Sequence, residues 1–388
     1  MNILDIKLNK LYETKKNPSI ELLRIIGCIS VIGTHVKINL IYKKKKKRYL
    51  QNFPIIFNGC LCADGVPIFW CIMGFFLFNK IPYKKKLKLL FKKICIPFIF
   101  ISFFYFYFQN YNFKKIEFFS YIKNKSKNDY LNLLYKTLCL EETIEAYHLW
   151  FCYVYILIIL LFPCFEGLNN LIEKNNINSF YIFFVFLLIL MENDFFYNKV
   201  LYISFHGFNG VIGAIPFIFC GNELKKNINK FKNKKIYSLF ILLYIGNNYL
   251  RCYLIKKTGE LTFINWHSSF SLINCFFLFI FVYSFYDFLN NKIIYFIIIN
   301  ISNKTFYIYL IHLFVINNIY KTFNFDKKFY KKYYELKDII YFQSYSVFIV
   351  FIFSLFISIG FLIYINIFDF LKKMLIKKKN KIILEILF

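Results

Sequence analysis

Three residues able to do chemistry share the first long apolar segment, ELLRIIGCISVIGTHV, which covers residues 21–36. Arg24 follows Glu21 by three residues, and His35 follows Arg24 by eleven. In an α-helix this spacing leaves the arginine and the histidine within about 20° of one face and about 16 Å apart along the axis. Ionisable groups are costly in hydrocarbon and normally face a bundle interior or a wet cavity. We therefore expect Glu21, Arg24 and His35 to form one functional face, because histidine is the usual general acid or base near neutral pH.

Plainer interpretations of the same three residues stay open. Glu21 and Arg24 are spaced to pair with each other close to the lipid headgroups, where a long arginine side chain can reach water. His35 would then be a hydrogen-bonded histidine of the protein core rather than a catalytic group.

A second candidate segment is DGVPIFWCIMGFFLF, residues 64–78. Pro67 inside an apolar run predicts a broken or kinked helix, and Gly74 predicts a close approach to another helix. Irregular backbone at membrane depth is tolerated only where it lines protein or a cavity. The segment is therefore a candidate wall of a site, although an ordinary kinked span explains it equally well.

A basic cluster, KKKLKLLFKKICIP, follows at residues 84–97. Lysines can hold phosphates as point charges, so Lys92 and Lys93 are candidates to bind a substrate that carries a nucleotide. Anchoring at the cytoplasmic surface explains the same lysines. The sequence contains neither a Walker loop nor a GxGxxG motif, so ATP-driven transport has no support.

Two further histidines complete the candidate set. His148 opens the segment HLW, which includes Trp150, near the expected outer end of a span, and His312 ends IYLIH in a late span. A catalytic centre displaced toward the outer leaflet makes His148, Trp150 and His312 candidates for the substrate side. The tryptophan beside His148 is equally typical of an interfacial belt.

The elements that must position these residues are membrane helices. The chain has 388 residues, 59% of them hydrophobic, and its mean hydropathy is +0.49. The apolar residues come in long blocks separated by lysine-rich patches, and a spanning helix needs roughly 17–25 such residues. Ten spans are predicted, at 20–41, 59–79, 94–110, 148–165, 178–191, 206–223, 236–254, 267–288, 304–320 and 340–370. The shorter apolar run at 292–301 is taken as a lead-in to the ninth.

These spans predict an all-α polytopic membrane protein, with about ten transmembrane helices in one bundle at residues 20–370. A segment at 1–19 and a basic tail at 371–388 flank the bundle. A small excess of Lys and Arg in one set of loops places both termini in the cytoplasm. In that count, residues 251–266 belong to a loop on the opposite side. The expected location is the cell inner membrane.

The charge pattern and the cysteine spacing argue against nucleic acid and metal ions as partners. The net charge of +29 is attributed to interaction with membrane lipids rather than nucleic acid, because the lysines lie between apolar blocks and not on one soluble face. The eleven cysteines show no paired zinc spacing, so no metal is expected.

Together the segments resemble the membrane acyltransferase 3 family, and more closely its stand-alone branch that O-acetylates surface polysaccharides. The resemblance rests on five motifs in family order: ELLR with a histidine eleven residues after the arginine, VPIFWCIMGFFLF, FKKICIP, HLWFCYVYILIILLFP and IYLIH. Three departures are visible. Gly27 replaces the usual alanine, Met73 replaces a serine, and lysines replace arginines that often occur in the basic stretch.

The resemblance implies an acetyl-CoA-dependent O-acetyltransferase. It would move an acyl group from cytoplasmic acyl-CoA to a hydroxyl of a cell-surface or lipid-linked glycan, with His35 as the general base. Arg24, Lys92 and Lys93 would hold the phosphates of acyl-CoA, and Glu21 would orient Arg24. Direct transfer is favoured over transient acylation of His35.

Two other functions are weighed against this one. A multi-pass transporter or flippase for a glycan or small anion would also bury charges along its path. However, no second copy of the DGVPIFW segment indicates an inverted repeat. A membrane acyltransferase of another class, modifying lipids or proteins through a buried histidine, is the third alternative.

Overall fold

The computed structural model describes residues 16–42, 53–79, 81–108, 149–175, 177, 179–195, 208–227, 237–258, 268–323 and 345–360. Within these ranges the regular elements are all helices and there is no strand. The all-α class predicted from the sequence is therefore confirmed. Both chain termini lie outside the described residues, so their cytoplasmic placement stays a prediction.

The described helices are α1 (Pro18–Tyr42), α2 (Phe53–Ala63), α3 (Gly65–Leu77), α4 (Tyr83–Leu90), α5 (Ile96–Phe108), α6 (Trp150–Leu160), α7 (Phe162–Lys174), α8 (Ser179–Phe195), α9 (Phe208–Asn227), α10 (Tyr237–Thr258), α11 (Ser269–Ser284), α12 (Tyr286–Leu289), α13 (Lys292–Ser302), α14 (Thr305–Phe323) and α15 (Tyr345–Gly360). A π-helical turn, Phe91–Cys95, joins α4 to α5.

In the described part of the chain, two helices are long and apolar enough to cross a membrane by themselves. They are Pro18–Val36 within α1 and Ile56–Leu77, which takes in α2 and α3. Two bent pairs each add one span if counted together: α6 with α7, bent by 61°, and α13 with α14, bent by 54°. These two to four spans are those of a membrane protein, whereas the figure of about ten stays a prediction.

Helix α1 lies inside the bundle, against α2, α3, α13 and α14. Its residues Ile20, Leu23 and Ile32 are fully buried. Helix α14 runs alongside α1 in the same direction. The Cys28 thiol reaches the carbonyl of Thr305 at 3.7 Å, and two turns further on the ring of His35 meets that of His312. Residues at the same height along α1 and α14 therefore face each other.

The α2–α3 span is broken at Asp64, which stands between the two helices. Pro67 is the third residue of α3, where its missing N–H leaves no intrahelical bond unmade. The break predicted from the proline is therefore confirmed.

Close helix packing at Gly74 is also confirmed. A Cβ on Gly74 would lie 1.9 Å from the carbonyl oxygen of Ile218 in α9, and a Cβ on Gly221 would lie 1.9 Å from that of Cys71 in α3. The two glycines are reciprocal, because each lets the backbone of the other helix approach. This crossing fixes α3, which carries part of the site described next.

Candidate active site

Glu21 and Arg24 are paired at the start of α1, and a third residue joins them from another helix. The Arg24 guanidinium lies 3.1 Å from Glu21 Oε2, and the Ser302 hydroxyl donates to the same oxygen at 2.6 Å. The Glu21 side chain is buried, whereas 31% of the Arg24 side chain is exposed. The carboxylate thus anchors the arginine from the protein side, and the guanidinium lies over the ring of Phe76, 5.6 Å from its centroid.

Arg24 lines a cavity of about 500 Å³ whose walls carry several positive charges. Three lysines, Lys16, Lys86 and Lys93, line the same cavity, and none of its described lining residues is an aspartate or glutamate. Such a concentration of like charge favours an anionic ligand, since fixed cations in a low-dielectric wall raise the local concentration of anions.

Two of these lysines, Lys86 and Lys93, come from the basic cluster and line the cavity in different ways. Lys86, in α4, is buried, and its ammonium donates to the Leu77 carbonyl at 2.6 Å and lies 3.2 Å from the centroid of the Phe162 ring. Lys93 stands in the π-helical turn, a feature that is frequent at functional sites. Lys92, the other half of the predicted pair, is exposed and is not among the lining residues. Lys86 was not singled out from the sequence.

The walls of the cavity also carry aromatic side chains. Phe69 and Phe76 line it from α3, Phe151 and Tyr155 from α6, and Tyr309 from α14. The Phe151 and Tyr309 rings lie 5.5 Å apart. Because Tyr309 is one helical turn before His312, the cavity wall comes close to the level of the two histidines, neither of which lines the cavity.

His35 and His312 form the other end of the candidate site. Their ring centroids are 5.0 Å apart, and the ring of His312 lies 5.6 Å from that of Tyr309. His312 is fully buried, and its Nδ1 lies 2.5 Å from the Tyr309 carbonyl. Since a carbonyl can only accept, Nδ1 carries the proton in this contact, and neutral His312 has its lone pair on Nε2. The pairing of these histidines was not predicted from the sequence.

The remaining predicted residues are placed as follows. His148 lies outside the described residues. Trp150 is the first residue of α6, half-buried, and its ring lies 6.4 Å from that of Phe151, which lines the cavity. Among the described residues, no group of three or more His, Cys, Asp or Glu side chains is arranged to hold a metal ion.

One buried ion pair was not predicted from the sequence. Arg251 falls at the end of the predicted span 236–254 and was also counted with the adjoining loop 251–266; it lies within α10, is fully buried, and pairs with Asp64 at 3.0 Å. A cation near the end of an apolar run usually extends to the headgroups, so the position of Arg251 in the sequence gives no sign that it is buried. Asp64 was the one feature of the sequence that could have indicated a buried partner for Arg251, because this acidic residue stands directly before the apolar run of α3.

A family model described as an acyltransferase domain matches residues 17–366. Curated proteins and solved structures gave no match to the chain. The match takes in α1 with Glu21, Arg24 and His35, the cationic cavity, and α14 with His312. The protein is a membrane acyltransferase: the chain belongs to the acyltransferase 3 family.

Proposed function

We propose that this protein is an integral-membrane O-acyltransferase that transfers an acyl group, most simply acetyl, from acyl-CoA to a hydroxyl of a cell-surface or lipid-linked glycan. The observation that carries the proposal is a single cavity with cationic and aromatic walls that lies beside a pair of histidines. Arg24 lines it together with Tyr309, whose ring is 5.6 Å from that of His312, and His312 in turn meets His35. The proposed location is the cell inner membrane, with the Arg24 end of α1 facing the cytoplasm.

The cationic end suits the phosphates of acyl-CoA. Arg24 is held by Glu21 and keeps about a third of its side chain exposed, so its guanidinium can bind phosphate without losing its anchor. Lys93 adds a second charge from the π-helical turn. Lys92 stays a candidate to bind a phosphate of acyl-CoA, but it would do so from the protein surface beside the cavity.

The aromatic part of the cavity suits the pantetheine arm and the thioester. About 16 Å of α1 separates Arg24 from His35, so an extended arm held at the arginine would direct its thioester toward the histidines. Phe69, Phe151 and Tyr309 line this part and would exclude water from the reactive ester.

At the histidines, the proposed reaction is direct acyl transfer. His35 takes the proton of the acceptor hydroxyl as the oxygen attacks the thioester carbonyl. The new C–O bond forms, the C–S bond breaks, and the proton passes to the leaving thiolate, which restores neutral His35. His312 is assigned to the acceptor side because it fills the space next to His35. His148 and Trp150 are assigned to the glycan on the residue pattern alone.

Thiol release in proteoliposomes tests the function. Purified protein is given acetyl-CoA with and without a lipid-linked glycan fraction, and free CoA thiol and glycan-bound acetyl are measured. We expect thiol release that depends on the glycan and equals the acetyl gained. Movement of the glycan without acetyl-CoA would support a transporter instead, and acetyl found on lipid or protein would replace the glycan as acceptor.

A further inference from the structure

A second group of buried polar residues lies outside the proposed reaction path. Asp64 and Arg251 are both fully buried, and the two terminal nitrogens of Arg251 donate hydrogen bonds in different directions. Nη1 donates to Asp64 Oδ1 at 3.0 Å and to the Cys60 carbonyl at 3.3 Å. Nη2 donates to the hydroxyls of Ser271 at 3.0 Å and Ser268 at 3.3 Å. The guanidinium thus joins the α2–α3 break to the start of α11.

Asparagines complete the network around the carboxylate. Asn274 of α11 donates to Asp64 Oδ2 at 2.7 Å and to Asn248 of α10 at 3.0 Å. The side-chain amide of Asn247 donates to Asn274 Oδ1 at 2.7 Å. Both carboxylate oxygens of Asp64 therefore accept hydrogen bonds, and the break is held by α10 and α11 together.

The opposite side of the same break rests on α1, between Arg24 and His35. A Cβ on Gly65 would lie 2.7 Å from the amide nitrogen of Val31 and 2.9 Å from the Gly27 carbonyl oxygen. The Thr34 hydroxyl, one residue before His35, donates to the Cys62 carbonyl at 2.9 Å. Residues 60–65 are thus held by Arg251 on one side and contact α1 on the other.

Stability alone does not account for a charge pair at this depth. A buried ion pair is often no more stabilising than apolar residues of the same volume, because desolvation offsets the attraction. A forked guanidinium, in contrast, fixes geometry, since it binds several acceptors in one plane.

We infer that Asp64 and Arg251 are a positioning pair, which sets the α2–α3 break against α1 and thereby the place of His35 next to His312. The inference rests on the proposed function for its catalytic consequence, whereas the geometry it claims can be measured without any activity. Neither residue is among those that line the cationic cavity, so both act through α2 and Thr34.

The first test compares Arg251→Lys with Asp64→Asn/Arg251→Gln. The lysine keeps the charge of the pair but cannot reproduce the fork. The double substitution removes both charges and leaves no unpaired buried ion. We expect both proteins to fold, to keep KM for acetyl-CoA within about twofold, and to lose about 10- to 100-fold in kcat, because small displacements of reacting groups have effects of that size.

Lys256→Gln, an exposed cation on the same helix, should leave kcat unchanged. Wild-type kcat in the folded double variant would overturn the inference.

The second test needs no acyltransferase activity. A Cβ at Gly33 would lie 3.3 Å from the Cβ of Cys62, close to the separation across a disulfide, so Gly33→Cys creates a reporter of the α1–α2 distance. Diamide oxidises the two thiols to a disulfide, and trypsin cleavage in the lysine run at 43–48 makes the linked peptides detectable by mass spectrometry. We expect rapid linkage in the Gly33→Cys protein and markedly slower linkage when Arg251→Lys is added. Equal rates would overturn the inference even if the proposed acceptor or donor proves wrong.

Discussion

The rings of His35 and His312 lie 5.0 Å apart, although 277 residues separate them in the sequence. They meet because α14 runs parallel to α1, with Cys28 and Thr305 in contact two turns earlier. The Tyr309 carbonyl fixes the proton of His312 on Nδ1. Tyr309, which lines the cationic cavity, thus lies beside a pair of imidazoles, one on each helix.

His312→Ala should lower turnover about 10- to 100-fold and raise KM for the acceptor glycan rather than for acetyl-CoA. The reason is that His312 fills the space next to His35 on the proposed acceptor side. Steady-state kinetics with each substrate varied in turn separates the two constants. Asn318→Ala is the control, because the hydrogen bond that Asn318 donates stays within its own helix and ends at the Phe314 carbonyl. A rise confined to KM for acetyl-CoA would move His312 to the donor side.

Lys93→Gln should raise KM for acetyl-CoA about two- to fivefold, the scale of one partly exposed charge, and leave kcat unchanged. Lys92→Gln is the matched control: it stands in the same π-helical turn and is exposed, but only Lys93 lines the cavity. Isothermal titration with CoA gives the same comparison without turnover. Equal losses in the two variants would mean that the lysines act through surface potential and not through the cavity wall.

Glu21→Gln should raise KM for acetyl-CoA about tenfold, because Arg24 loses a charge-assisted hydrogen bond that holds its guanidinium at the cavity. Ser302 can still donate to the amide oxygen, so the fold should persist. Glu223→Gln removes the acid of a Lys226–Glu223 pair with the same spacing, which lies away from the cavity, and should have no kinetic effect. Identical kinetics of the Glu21→Gln and wild-type proteins would remove Glu21 from the proposed donor site.

Gly74→Ala should lower the melting temperature sharply or abolish folding, since its Cβ would lie 1.9 Å from the backbone of α9 and one of the helices must move. Gly246→Ala is the matched control within α10, because nothing lies within 4 Å of its Cβ. Alanine there should be neutral or stabilise by up to about 1 kcal/mol. Thermal unfolding in detergent measures both. Equal melting temperatures would contradict the α3–α9 crossing.

Local patterns were sufficient to predict several features of the fold. The helical spacing of Glu21, Arg24 and His35 needs only the rise and twist of one helix. The break near Pro67 and the close approach at Gly74 follow from properties of single residues, and the structure has both. These features depend on short stretches of chain and not on the arrangement of helices.

Features that depend on distant pairing were missed. Arg251 is buried because Asp64 lies opposite it, 187 residues away, and an apolar run with a cation near its end gives no sign of that partner. Lys86 is one of several lysines in the same cluster, and only the packing of α4 beside Phe162 directs it inward. The His35–His312 pair likewise requires the parallel alignment of two helices far apart in sequence.

The most direct test of the central claim is the O-acetyl content of surface glycans in cells that carry His35→Ala in place of the wild-type protein, at matched membrane levels. Proton NMR of the isolated glycans gives the acetyl signal per sugar repeat. General base catalysis contributes about 100- to 10,000-fold, so the proposal predicts loss of the acetyl signal to that of cells lacking the protein, and its retention in the Asn318→Ala control. A wild-type acetyl content with His35→Ala would contradict the account.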